Sequence, residues 1–317
     1  MATEQRLPGE VAQVGHDALA IAIDRLVVRY GRKIAVDGVT LRVPSGSVFG
    51  LLGANGAGKT STIKTLLGFR TPSGGSARIQ GRDIMRERIE INARIGYVSE
   101  TNTLYLGMTT LQLCAFYRAT SRRWDQALVD RYLQLFNLPP KARIRTLSKG
   151  MRTQLALSLA LGNNPEVLIL DEPTTGLDPV ARRAFLDVLM RDAAAAGKTI
   201  FFSSHVLSDV ESVVDSIAIL RAGKLMVSGE LDALKQQHAL VRLTYDEPPS
   251  DEVLAALRRV PGVGLVEREG RNVRVRVHGS VTETLDALRT IGAPMSVDTT
   301  GLNLDDIFLY YAQEAQP

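Results

Sequence analysis

Cysteine and long apolar runs are both scarce in this sequence, and each scarcity removes a class of protein. One cysteine, Cys114, leaves no internal disulfide to form, so a small cross-linked secreted scaffold is excluded. Its apolar setting in LQLCAFY predicts a buried structural thiol. No stretch approaches the ~20 consecutive apolar residues that span a bilayer. The N-terminal residues lack a basic start followed by an apolar run and do not read as a signal peptide. A dominant charge sign is also lacking: 38 Lys and Arg against 34 Asp and Glu give a net charge of +4. The two signs are interspersed, which does not indicate nucleic-acid binding. No heptad run is present. What remains is 317 residues with 45% hydrophobic content, enough for a large core and two or more domains.

The apolar run Val48 to Leu52 reads as a buried strand, and Gly53-Ala54-Asn55-Gly56-Ala57-Gly58-Lys59-Thr60 follows it. This matches G-x-x-x-x-G-K-[ST]. The glycines let backbone amides turn inward around phosphate oxygens, Lys59 supplies a cation near the β and γ phosphates, and the Thr60 hydroxyl suits Mg²⁺. From Ser61 the chain has helical character, which completes the strand, loop and helix context.

A second segment, Leu147 to Pro179, carries two partial nucleotide sites. Ser148, Lys149 and Gly150 open an expected helix, whose unpaired amides and positive dipole end suit a phosphate. Val167 to Leu170 is an apolar strand that delivers Asp171 and Glu172 to its end. Beside a phosphate loop, Asp171 is expected to hold Mg²⁺ and Glu172 to orient or deprotonate the attacking water of γ-phosphate hydrolysis. ATP and Mg²⁺ are the cofactors these residues call for.

With these motifs in order, residues 20 to 235 resemble the ATP-binding subunit of ABC transporters, in particular ABC-2 type exporter ATPases. Gly53 to Thr60 is similar to the family's Walker A loop, Leu147 to Met151 to its signature, Asp171 and Glu172 to its Walker B pair, and Gly176-Leu177-Asp178 to its D-loop. The resemblance implies that Tyr30 stacks on adenine, that His205 in FFSSH senses the γ-phosphate, and that Ser148 and Gly150 serve the nucleotide of a partner. It implies a head-to-tail dimer of this chain or with a homologous ATPase, on the cytoplasmic face of a membrane, driving a separate integral membrane permease. Two positions depart from the family pattern. Lys149 stands where a glycine is usual. Glu100 stands where a glutamine is usual, and is expected to remain a metal-proximal sensor. The other histidines, His16, His238 and His278, have no ligand-like neighbours.

The fold implied is an α/β P-loop ABC ATPase core with an antiparallel β subdomain and a helical subdomain, plus a small α+β ferredoxin-like C-terminal domain. Residues 1–17 read as a polar tail, 18–236 as the ATPase domain with helices over about 100–161, and 237–317 as an accessory domain. Strands are expected at Ala20 to Val28, Val39 to Val43, Thr199 to Ser203 and Ile217 to Leu220, and a turn at 71–76. In the helical insertion Leu111, Cys114, Phe116, Leu128, Tyr132 and Phe136 recur at helical spacing. Beyond about Gln237 the order is β-α-β-β-α-β, with Val273, Val275 and Val277 alternating against Arg274, Arg276 and His278 to give one core face and one wet face. A last helix places Leu304, Ile307, Phe308 and Tyr311 on one stripe. Two other readings stay open at this point: an ABC-type ATPase acting on ribosomes or nucleic acid, and a module that uses ATP as a clamp without hydrolysing it.

Overall fold

The computed structural model describes residues 19–101 and 103–313; the expected tail to Asp17, and His16 within it, lie outside them. Packing divides the chain into two compact units, one running through Ser228 and the other starting at Gly229.

In the first unit, β1 (Leu19–Tyr30) and β2 (Lys33–Pro44) form an antiparallel pair turned at Gly31-Arg32. Next comes β3 (Val48–Leu52), buried at all five positions, as a strand covered on both faces must be. It is followed by α1 (Lys59–Leu66), then β4 (Gly74–Ile79) and β5 (Arg82–Asp83), which complete a four-stranded antiparallel sheet in the order β2-β1-β4-β5. The turn expected at 71–76 is shorter than the sequence suggests. Gly74 to Ser76 already belong to β4, because Gly74 pairs with Val27 and Ser76 with Asp24.

A short α2 (Arg88–Asn92) leads to β6 (Ile95–Val98), and the chain then enters the helical segment α3 (Thr110–Thr120), α4 (Gln126–Leu135) and α5 (Lys149–Gly162). Each of these helices starts where a side chain satisfies orphan amides. Thr109 and Gln112 make a reciprocal capping box, the Asp125 carboxylate accepts from Leu128 N, and Ser148 Oγ accepts from Met151 N. Of the apolar positions read as one periodic face, Cys114, Tyr132 and Phe136 are buried, whereas Leu111 and Phe116 are 48% and 38% exposed. Burial pushes the Cys114 thiol up to about 11, so it stays protonated and unreactive.

The core resumes with β7 (Val167–Asp171), α6 (Pro179–Val188), β8 (Thr199–Ser204), α7 (Leu207–Glu211), β9 (Ser216–Arg221) and β10 (Lys224–Glu230). Six strands lie in the order β10-β9-β3-β8-β7-β6, and β3 runs parallel to both β8 and β9. The strand ends after Leu52 and Leu170 are thus separated by only one strand, β8, which aligns the phosphate loop with the two acids.

The second unit contains α8 (Leu231–Gln236), β11 (His238–Thr244), α9 (Asp251–Arg258), β12 (Val263–Glu269), β13 (Asn272–His278), α10 (Val281–Thr290), β14 (Ser296–Gly301) and α11 (Leu304–Gln313). Its sheet order, β12-β13-β11-β14, places the first and third strands at the centre in the ferredoxin-like manner. Val273, Val275 and Val277 are buried against Leu254, Leu257 and Leu288. The opposite face is half-buried rather than fully wet. Tyr310 Oη lies 2.7 Å from His278 Nδ1, and Tyr311 Oη lies 3.1 Å from His238 Nε2. In α11, Leu304, Ile307 and Tyr310 are buried, so the inward stripe ends on Tyr310 rather than Tyr311.

Gly162 closes α5 where it meets α4. A Cβ there would collide with Val129 Cγ2 and lie 3.2 Å from Trp124, and Val129 is 0% exposed. Helix propensity alone would favour alanine by up to about 1 kcal/mol, but overpacking of a closed site costs about 1–3 kcal/mol and wins. Gly162→Ala is expected to lower the urea midpoint with an unchanged m-value; a raised midpoint would show that α4 gives way.

Candidate nucleotide site

The loop after β3 turns so tightly that side chains are excluded at two of its glycines. At Gly53 a Cβ would sit 2.6 Å from Leu220 O, and at Gly58, where φ is 109°, 2.6 Å from Ala35 O. The turn brings Lys59 back over its own loop. Its ammonium donates to Gly53 O at 2.6 Å and Ala54 O at 3.4 Å, and it is only 5% exposed. A buried ammonium requires a counter-charge, and Glu172 Oε1 lies 3.0 Å from Lys59 Nζ.

Glu172 is the meeting point of the cleft. Its Oε2 accepts from His205 Nδ1 at 2.6 Å, from His205 N at 3.3 Å and from Thr175 Oγ1 at 3.4 Å. Because the carboxylate only accepts, Nδ1 carries the ring proton, which leaves Nε2 as the nitrogen available to a ligand. The backbone of Glu172 has φ 50°, in the left-handed region that non-glycine residues seldom occupy. Such strain persists only where surrounding bonds fix it, and Ser203 Oγ, accepting from Glu172 N at 3.0 Å, is one of them.

Asp171 lies beneath, 2% exposed at the end of β7. Its Oδ1 accepts from Ser203 Oγ at 2.8 Å and from Thr60 Oγ1 at 3.1 Å. Burial holds its carboxyl above the usual range, opposed by those two hydrogen bonds and reinforced by the charges of Glu172 and Glu100. Burial and the same Asp171 charge push the neighbouring Tyr97 phenol up to about 12.

A cleft of ≈ 480 Å³ opens above these groups. Of the residues singled out in the sequence, Tyr30, Asn55, Gly56, Ala57, Gly58, Lys59, Thr60, Ser61, Glu100, Glu172 and His205 line it. Gly53 and Ala54 contribute the carbonyls that hold Lys59. Tyr30 is 43% exposed, and the Arg70 guanidinium lies 4.5 Å from its ring centroid. Arg70 is not among the cleft-lining residues. Lys33, Ala35 and Thr175 also line the cleft and Ser203 supports it, although none was singled out in the sequence. Lys33 and Ala35 follow the Tyr30 turn by a few residues, and Ser203 is the register partner of Asp171 on β8. Strand pairing, not any local motif, identifies Ser203.

Ser148, Gly150 and Asp178 do not line this cleft. Ser148 and Asp178 cap helices instead: Asp178 Oδ1 accepts from Ala181 N at 2.9 Å at the start of α6. Lys149 lies across the neighbouring loop, with its Cδ 3.0 Å from where a Gly176 Cβ would stand. Among the described residues no cluster of three His, Cys, Asp or Glu side chains forms a protein-only metal site.

A family model described as ABC transporter matches residues 36–175. The daunorubicin resistance ATP-binding protein of Streptomyces coeruleorubidus is 32% identical over 295 residues, covering 92% of each chain. Nod factor export ATP-binding protein I of Paraburkholderia xenovorans is 39% identical over 220 residues, 68% of this chain and 72% of that one. A solved structure of an ATP-binding subunit of an ABC transporter superposes with a TM-score of 0.63 at 29% identity, over 68% of this chain and 92% of that chain.

The raised pKa of Asp171 has a sign that denaturation reads. The native state holds this proton more tightly than the unfolded chain, so native stability falls as pH rises from the unfolded value through the folded one. Asp171→Asn removes the buried charge while keeping an oxygen for Thr60 and Ser203. Without nucleotide, its thermal midpoint is expected at or above wild type near pH ~7, with the gap closing toward pH ~4. A lower midpoint near neutrality would contradict a burial cost.

Proposed function

The chain belongs to the ABC transporter family as an ATP-binding and ATP-hydrolysing subunit, and we propose that it powers a separate membrane permease by closing head-to-tail on a second ATPase subunit. Export is the direction we infer, because the relatives are named for drug resistance and Nod factor export. A soluble ATPase acting on ribosomes or nucleic acid is not favoured, since the matching family and relatives are transport subunits.

One observation carries the hydrolytic reading: the Glu172 carboxylate is shared between Lys59 and His205 at the mouth of the phosphate loop. In this reading Lys59 and the loop amides bind the β and γ phosphates, and Tyr30 stacks on the adenine. Glu172 takes the proton of the attacking water, while His205 orients the γ-phosphate through Nε2. Mg²⁺, when bound, supplies neutralisation between phosphate oxygens. Thr60 and Asp171 would hold it, with Glu100 nearby. The fit is electrostatic, because burial, reinforced by the charges of Glu172 and Glu100, holds the Asp171 carboxyl above its usual range, and a cation bound there would offset that cost.

Assembly follows from the residues outside the cleft. Ser148, Gly150 and Asp178 do not line the cleft of their own chain, and the N-terminus of α5, with its free amides, suits a phosphate held by the partner. In this reading 18–236 is the ATPase domain and 237–317 an accessory domain. Among the described residues no helix is long and apolar enough to cross a membrane. The helical subdomain instead exposes Tyr105, Leu106, Leu111 and Phe116, with the Tyr105 and Phe116 rings 5.3 Å apart edge to face. This patch supports docking on a permease at the cytoplasmic face of the membrane.

Glu172→Gln keeps size and polarity but removes the base. It should bind ATP and dimerise while turnover falls about 10²-fold or more. Near wild-type turnover would remove Glu172 from the chemistry. The assembly is checked separately, by mixing Ser148→Arg subunits with Lys59→Ala subunits. The mixed dimer should hold nucleotide at one composite site only, and equal occupancy of both would overturn the trans assignment.

A further inference from the structure

A second ion pair, its carboxylate buried and its arginine side chain 33% exposed, lies outside the cleft lining and takes no part in the reading above. Arg182 on α6 and Asp209 on α7 meet through one contact, Nη1 to Oδ1 at 3.5 Å, the outer limit of a hydrogen bond. Asp209 is 5% exposed. Asp209 Oδ2 and Arg182 Nε are both buried without a hydrogen-bond partner. An arginine and a carboxylate that served only to join two helices would meet in the bidentate fork. Here each group keeps an unused buried partner atom, a costly arrangement that needs a reason.

The position of the pair supplies one. Arg182 N donates to Asp178 O at 2.9 Å, so Arg182 stands one helical turn inside α6 from its Asp178 cap. Asp209 stands four residues beyond His205, in the helix that His205 introduces. His205 in turn is bound to Glu172, and the chain from Glu172 runs through Pro173 to Leu177 back to Asp178. The Arg182–Asp209 contact therefore closes a ring: Glu172, the Asp178 loop, α6, α7, His205 and Glu172 again. Within this ring the contact links α6 to α7, and α7 begins two residues after His205.

We propose that Arg182 and Asp209 are a positioning pair that sets how His205 meets Glu172. This rests on the assignment of Glu172 and His205 to the hydrolytic centre.

The test measures kcat, KM for ATP and the thermal midpoint of the full chain, for wild type, Asp209→Asn, Arg182→Gln with Asp209→Asn, and each again in a His205→Ala background. Neutralising both charges together avoids stranding one of them in the interior. The paired variant is expected to lower kcat about tenfold with KM within about twofold, a coupling of the size found within one contact network. In His205→Ala, already slow, the same substitutions should change kcat no further. The proposal is overturned if the folded paired variant keeps wild-type kcat, or if its loss is as large without His205. Should the paired variant not fold, Arg182→Lys, which keeps the charge but not the fork, takes its place under the same criteria. An active wild type insensitive to His205→Ala would instead overturn the assignment of the hydrolytic centre.

Discussion

Three ionisable groups share one small buried volume, and the architecture around them follows from keeping them together. Lys59, Asp171 and Glu172 are all below a tenth exposed, and none would stay charged there alone. Lys59 answers Glu172, and Ser203 with Thr60 answers Asp171. The partners come from two other strands, Lys59 and Thr60 from the segment after β3 and Ser203 from the end of β8. Only a parallel sheet with β8 between β3 and β7 delivers them to one edge. The apolar strands serve that placement: VFGLL and VLILD are uniformly buried so that the polar residues following them emerge at fixed height.

The cluster carries two negative charges and one positive. Hydrogen bonds from Ser203 and Thr60 soften the imbalance, yet burial, with the charges of Glu172 and Glu100 added to it, still holds the Asp171 carboxyl above its usual range. Such a site is electrostatically poised for a polyphosphate accompanied by a hard cation. The mild net charge of the whole chain gives no hint of this, because the imbalance is local and surrounded by low dielectric.

Much of this was legible in the sequence where a motif demands fixed spacing. The phosphate loop can be read because its glycines are obligatory, and the acids because they end a continuous apolar run. The second unit was readable from period-two alternation in β13. Elsewhere local pattern fails for identifiable reasons. α6 buries only Phe185 and Val188 and so carries little periodic signal, and β10 is half-exposed along most of its length without alternation. Leu111 and Phe116 sit at core-like spacing yet face outward, since helical periodicity finds an apolar stripe without saying what covers it. Ser203 joins the site only through strand pairing with β7, which no local window contains.

The left-handed backbone of Glu172 gives the site an evolutionary direction of its own. Glycine and asparagine enter that region at little cost, whereas glutamate there carries about 1–3 kcal/mol of strain. Losing the side chain would release that strain, but it would also strip buried Lys59 of its counter-charge, at a cost of about 3–5 kcal/mol. Even a duplicated copy freed from the need to turn over is therefore held to an acid at this position until Lys59 drifts with it.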